Sequence, residues 1–124
     1  MAIIKLGARP KSFKRVVTFP LVEGGEGAIE VSFKYRTRTE FGKFIDSIVS
    51  DAQAQGDQQF SMADLMERTR DKNAAYLMDV IDGWNLDEPL TRATVEQLCD
   101  ELPGAATEIM DAYRKATVEG RLGN

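Results

Sequence analysis

A chain of 124 residues, 43% of them apolar, suits one compact domain built on one core and leaves no room for two. With no histidine and a single cysteine, it lacks the usual neutral-pH proton shuttle, a Cys/His zinc cluster and a Ser-His-Asp triad. Twenty acidic against sixteen basic side chains leave a net charge of −4, which argues against nucleic acid as a partner.

Charge interrupts the apolar stretches every few residues, well short of the ~20-residue apolar run of a membrane-spanning helix. Met1 to Leu6 hold no apolar run of signal-peptide length. The expectation is a soluble, cytoplasmic protein. Cys99 cannot close an internal disulfide, and its place among Val95, Leu98 and Leu102 predicts a buried thiol. Carboxylates are plentiful enough for some form of carboxylate catalysis, yet none sits at metal-loop or phosphate-loop spacing. The expectation is therefore a non-enzyme with no cofactor, no metal and no small-molecule substrate.

The charge is divided along the chain. Residues 1–44 carry nine Lys/Arg and four Glu, a balance of +5, and residues 45–124 carry seven basic and sixteen acidic side chains, a balance of −9. Such a dipole reads as solvated faces with a bias toward head-to-tail self-association.

In chain order, residues 1–12 carry Gly7, Pro10 and basic residues with no apolar period, as a flexible basic arm would. Residues 13–36 predict a β-hairpin. Ile29, Val31, Phe33 and Tyr35 alternate strictly with Glu30, Ser32, Lys34 and Arg36, the period of a half-buried strand. The preceding Arg15 to Val22 alternates more loosely, and Gly24-Gly25 between the two runs supplies the conformational freedom of a reversal. Pro20 belongs at an edge or a strand end, because it cannot donate to a ladder.

Residues 37–120 predict the helical part. Thr37 and Glu40 have capping-box spacing, and Phe41, Phe44, Ile45, Ile48, Val49 and Ala52 fall on one helical face that exits near Gly56-Asp57. Ser61 and Asp64 open a second segment, with Leu65, Met66, Tyr76, Leu77, Val80 and Ile81 on helical spacing. Asn73 and the run Arg68–Lys72 weaken its middle, so one long helix and two short ones both fit. Asp82 to Leu90 breaks the periodicity and reads as a loop around the sole tryptophan, Trp84. Thr91 is the expected N-cap of a helix bearing Val95, Leu98, Cys99 and Leu102. Pro103 starts a last helix bearing Ala106, Ile109, Met110 and Tyr113, stopped by Gly120 ahead of a short flexible tail, residues 121–124. The fold class is α+β, an N-terminal β-hairpin followed by three to five α-helices in a single compact domain.

Three features bear on function. The loop of Trp84, Leu86, Pro89 and Leu90 has the makeup of a partner-binding loop, and a lone Trp packing its loop onto its own core would look the same. The basic arm, with Lys11, Lys14 and Arg15, reads either as a self-association element or as a solvated terminus. Met62, Met66, Met78 and Met110 fit a pliable client groove, and fit core filling better.

These residues also carry a resemblance. Val17-Thr18-Phe19-Pro20, the Gly-Gly reversal, Phe33 to Phe41, Gly83-Trp84-Asn85-Leu86 with Glu88-Pro89, Leu102 to Ala106 and the terminal Gly123-Asn124 resemble the pattern of a phage tail assembly chaperone family. The likeness runs from Lys5 to Asn124 and rests on the order and spacing of its pieces. It implies a protein of the host cytoplasm that binds the tape-measure protein and promotes assembly of the tail-tube protein around it. Such a protein would be absent from the mature virion and would have possible homo-oligomers, no nucleic acid and no membrane among its partners. Members of that family are often made in two lengths by a ribosomal frameshift, and this chain would be the short form. A structural tail component retained in the virion and a small prophage interaction adaptor are the alternatives.

Overall fold

The computed structural model describes residue 3, residues 5–53 and residues 61–118. Strands β1 (Ser12–Pro20) and β2 (Glu26–Lys34) form the expected hairpin, antiparallel from Ser12 opposite Lys34 to Pro20 opposite Glu26. Alternation decides which side is covered: Val17 and Phe19 of β1 and Ile29, Val31 and Phe33 of β2 are buried, while Lys14, Val16, Thr18, Glu30 and Lys34 face solvent. The reversal closes with Leu21 N–H donating to the Gly25 carbonyl and Gly24 N–H to the Leu21 carbonyl, both at 3.0 Å. Gly24 and Gly25 have φ of 103° and 74°, values that a side chain would strain. Pro20 ends its strand, as its missing N–H requires.

A third strand, β3 (Ile81–Trp84), pairs antiparallel with β2, giving the order β1-β2-β3. This corrects the sequence reading, which put Ile81 on a helix and Trp84 in a loop. Phe33 pairs with Ile81, Ser32 with Gly83 and Val31 with Trp84, so Asp82 is an extra residue on its strand. Residues three apart in a regular strand point to opposite faces. The bulge restores the phase and turns both Ile81 and Trp84 toward the core side, opposite Phe33 and Val31.

Among the described residues, five helices build the rest of the domain on the inner side of the sheet. Helix α1 (Arg38–Asp51) opens with the expected box: Thr37 Oγ1 accepts from Glu40 N–H at 3.2 Å, and Thr37 N–H donates to Glu40 Oε1 at 2.8 Å. It stops at Asp51, with Gln53 in the left-handed region at φ 56°, sooner than the expected exit at Gly56-Asp57, which lies outside the described residues. Helix α2 (Met62–Arg68) is boxed by Ser61 and Asp64. A single 3₁₀ turn (Arg70–Lys72) then separates it from α3 (Asn73–Val80).

That interruption selects the two-helix alternative, and buried polar groups occupy it. Thr69 Oγ1 donates back to the Leu65 carbonyl at 2.7 Å. With its amide nitrogen turned inward, Asn73 donates to the carbonyls of Thr69 and Met66, at 3.0 and 3.1 Å. The Leu65 and Thr69 carbonyls also accept the main-chain N–H groups of Thr69 and Lys72, at 3.1 and 2.8 Å, so the two buried side chains find their partners within the break itself.

Thr91 caps α4 (Arg92–Glu101), reciprocated by Thr94. Pro103 and Gly104 form a turn, and α5 (Ala105–Val118) begins two residues after the proline. Gly120 and the tail 121–124 lie outside the described residues. Met62, Met66 and Met110 are buried and Met78 partly so, in keeping with core filling. Cys99 is half-buried at the margin of the core instead of inside it.

The core converges on Tyr113 of α5, which is fully buried. Its ring lies 5.0 Å from Phe33, 5.5 Å from Phe41 and 6.2 Å from Phe13, centroid to centroid. Its hydroxyl donates to the Lys34 carbonyl at 2.7 Å and accepts from Arg36 Nη1 at 3.0 Å. Burial raises this phenol above its ordinary value, so it stays a donor. Arg36 Nη1 also donates to the Asp79 carbonyl at 3.1 Å, and its guanidinium lies 4.4 Å from the Phe44 centroid.

Tyr113→Phe removes the donor to Lys34 and the acceptor for Arg36 without altering the ring. A loss of about 1–3 kcal/mol in urea unfolding is expected, with the circular dichroism of the native protein retained. An acid-side effect is also expected at Glu40. The Thr37 N–H and the Arg9 guanidinium hold this carboxylate below its ordinary value of 4.5. Its contribution is present above that pH and is lost as the pH falls through the lowered folded value, because the unfolded chain binds the proton first. Glu40→Gln should therefore flatten the decline in Tm below pH 4.5, whereas an unchanged profile would show that the group carries none of it.

Candidate functional site

A groove of about 270 Å³ opens where the turn end of the hairpin, the segment after β3 and α4 meet. Phe19, Leu21 and Ile29 form one wall, Trp84 and Leu86 the floor, and Leu98 and Leu102 the other wall. Gly27 gives Leu21 its place, since a Cβ there would stand 3.1 Å from Leu21 Cδ2. The polar lining comes from Glu88, Thr94, Gln97 and Glu101, with no lysine or arginine. Gln97 Nε2 donates to Glu101 Oε2 at 2.8 Å, which sets that carboxylate along the rim.

The segment from Trp84 to Leu90 is held at several points. Asn85 N–H donates to the Glu30 carbonyl at 3.1 Å, and Glu30 N–H donates to Asn85 Oδ1 at 3.0 Å. The side-chain amide thus stands in for the next main-chain carbonyl of a strand, and the backbone is free to turn away. Trp84 Nε1 donates to the Glu88 carbonyl at 2.8 Å, and Thr94 Oγ1 to the Pro89 carbonyl at 2.6 Å. Trp84, Leu86 and Leu90 are partly buried against the core, and Pro89 is exposed. Of the four residues singled out in the sequence, Trp84 and Leu86 line the groove and Pro89 and Leu90 lie outside its lining. Phe19, Leu21, Leu98 and Leu102, which sequence reasoning treated as hairpin or helix core, complete it. The amphipathic spacing that marks them as core does not tell a covered position from a groove wall.

The three basic residues lie at the other end of the sheet. Lys11 and Lys14 are exposed. The Arg15 guanidinium lies 5.0 Å from the Phe13 centroid and Nη1 donates to the Lys14 carbonyl at 2.7 Å. Its Nε is buried with no hydrogen-bond partner, as is Thr117 Oγ1, and both residues border one notch with Tyr35 and Arg38. Arg9 reaches across to α1, pairing with Glu40 and lying 5.2 Å from the Tyr35 centroid.

Little in the ionisable groups points to bond-making chemistry. Burial, then Glu96, pushes the Cys99 thiol up to about 11, where it is a poor nucleophile at neutral pH. Asp51 is held below its ordinary value by the Tyr76 hydroxyl at 2.7 Å and by Lys72, the opposite of the raised carboxylate a general acid needs. Among the described residues, no helix is long and apolar enough to cross a membrane.

A three-stranded sheet backed by helices, with a hydrogen-bonded tryptophan segment along an apolar groove, defines a small α+β domain with one preformed apolar recess at its hairpin-turn end. A family model described as phage tail assembly chaperone matches residues 1–124, the whole chain, and the protein belongs to that family. No curated protein and no solved structure matches it.

Asn85→Ala should loosen the groove floor without unfolding it. The expected cost is about 0.5–1.5 kcal/mol, together with greater iodide quenching of tryptophan fluorescence, which reports on Trp84 alone because it is the only tryptophan. Unchanged quenching would mean that the amide does not hold the floor.

Proposed function

We propose that this chain is a non-enzymatic chaperone of the host cytoplasm that binds the tape-measure protein, promotes tail-tube assembly around it and is absent from the mature virion. Family membership supports the general role. The observation that favours client capture is the groove itself: an apolar floor and walls with a carboxylate rim, pre-formed by hydrogen bonds on both sides of Trp84. A long helical client presents apolar stripes that aggregate unless covered, and a groove of this kind receives such a stripe. Client contact is assigned to Trp84 and Leu86 in the groove, with Pro89 and Leu90 beside it. Self-association is assigned to the basic end, Lys11, Lys14 and Arg15. The non-enzymatic reading is supported by the lack of histidine and the raised thiol of Cys99.

Co-expression with the tape-measure protein of the same tail gene cluster tests this function. The client should stay soluble and elute with the wild-type chain. Leu86→Asp, on a partly exposed floor position, should lose most of the co-elution while keeping a near-parental Tm. A client equally soluble without this chain, or a chain recovered at fixed copy number by mass spectrometry of purified particles, would refute the proposal.

A further inference from the structure

At the end of the molecule far from the groove, the arm holds an apolar side chain out to solvent. Ala8 N–H donates to the Lys5 carbonyl at 3.3 Å, and Gly7 has φ of 86°. A left-handed glycine at the third position marks a tight turn of the kind that favours glycine there. Leu6 sits at its apex, 98% exposed, and Ile3 before it is 88% exposed. A large apolar side chain presented on a closed turn, with no described residue of its own chain over it, is a knob without a hole. Lys5 precedes it in the turn and Lys11 follows farther along the arm, both exposed and cationic.

The groove offers the complement: apolar Trp84 and Leu86 below, Glu88 and Glu101 at the rim, and no cation in the lining. The arm cannot reach the groove of its own chain. Arg9 is fixed at Glu40 and Tyr35, and three residues from Arg9 to Leu6 span at most about 11 Å. The groove begins at Phe19, seven residues along β1 from Ser12, which is about 24 Å of strand.

We infer that the arm of one copy docks in the groove of a second, with Leu6 on the Trp84–Leu86 floor and Lys5 beside Glu88 and Glu101. This rests on the self-association proposed above and adds to its basic end a contact of its own, Lys5 and Leu6. It shares with the client reading only the premise that the groove accepts an apolar segment. Because knob and hole are different patches at opposite ends, the contact is heterologous and repeats head to tail, into a ring or an open chain of copies. Each copy in the series has its groove filled by a neighbour, so client and arm compete for one place.

Sedimentation velocity of the full chain without client tests this. The wild type should form concentration-dependent species larger than dimers, weakened by salt because the rim contact is ionic. Leu6→Asp removes the knob and the pair Glu88→Lys with Glu101→Lys reverses the rim; all three sites are exposed, so circular dichroism should be unchanged. Each variant alone should be monomeric. Mixed in equal amounts they should give dimers and nothing larger, since one supplies the only intact arm and the other the only intact groove. In a Cys99→Ser background, Leu6→Cys with Gln97→Cys should oxidise to a ladder of linked copies. A wild type that stays monomeric, either variant assembling like its parent, or cross-links confined within single chains would overturn the inference. Client capture by Leu6→Asp should persist, so failure of the client reading and failure of this one are told apart.

Discussion

Tyr113 gives its hydroxyl proton to the Lys34 carbonyl, accepts one from Arg36 and lays its ring among Phe13, Phe33 and Phe41. One side chain thereby joins both hairpin strands, the link into α1, α1 itself and α5. A tyrosine can do this because its body is apolar and its tip polar: the ring is buried among aromatics while the hydroxyl satisfies a main-chain group at the end of β2. Arg36 extends the same junction to the end of α3 through the Asp79 carbonyl. The sheet is held at this end by hydrogen bonds and ring contacts, and the other end is left to the groove.

Construction at the groove end is different in kind. Its floor depends on main-chain phase: the extra residue Asp82 turns Trp84 to the inner side of the sheet, and the Asn85 amide takes over the strand's hydrogen bond as the chain departs. Its walls are the inner face of a hairpin and the apolar face of a helix, with a gap left between them. The aromatic cluster cannot fill this gap, because its rings belong to Phe13, Phe33, Phe41 and Tyr113 at the opposite end. A closed end and an open end on one small domain give it the polarity that its charge division also has.

Much of this was legible in the residues. Strict alternation from Ile29 to Tyr35 found β2, and the Gly-Gly pair found the reversal. Thr37, Ser61 and Thr91 each marked a helix start, because capping is local chemistry written within four residues. β3 was missed for an equally physical reason. A bulge breaks the period of two, so Ile81, Gly83 and Trp84 show no alternation, and a four-residue strand offers too few positions to reveal one. The end of α1 was placed late because its left-handed residue is Gln53 and not a glycine. Trp84 and Leu86 stood out as unusual residues in an aperiodic stretch, while Leu21, Leu98 and Leu102 did not, since the groove is a tertiary gap between elements that each read as ordinary core.

The junction at Tyr113 also sets an order of events during synthesis. The tyrosine and the carbonyl it binds are 79 residues apart in sequence, so the hairpin leaves the ribosome long before the helix that covers it. Until α5 emerges, Phe13 and Phe33 lack their central partner, and pairing between β1 and β2 alone makes a hairpin that is marginal in water. Contacts this distant in sequence form late and slowly. A chain truncated before α5 would therefore leave an apolar strand face open to pairing and aggregation.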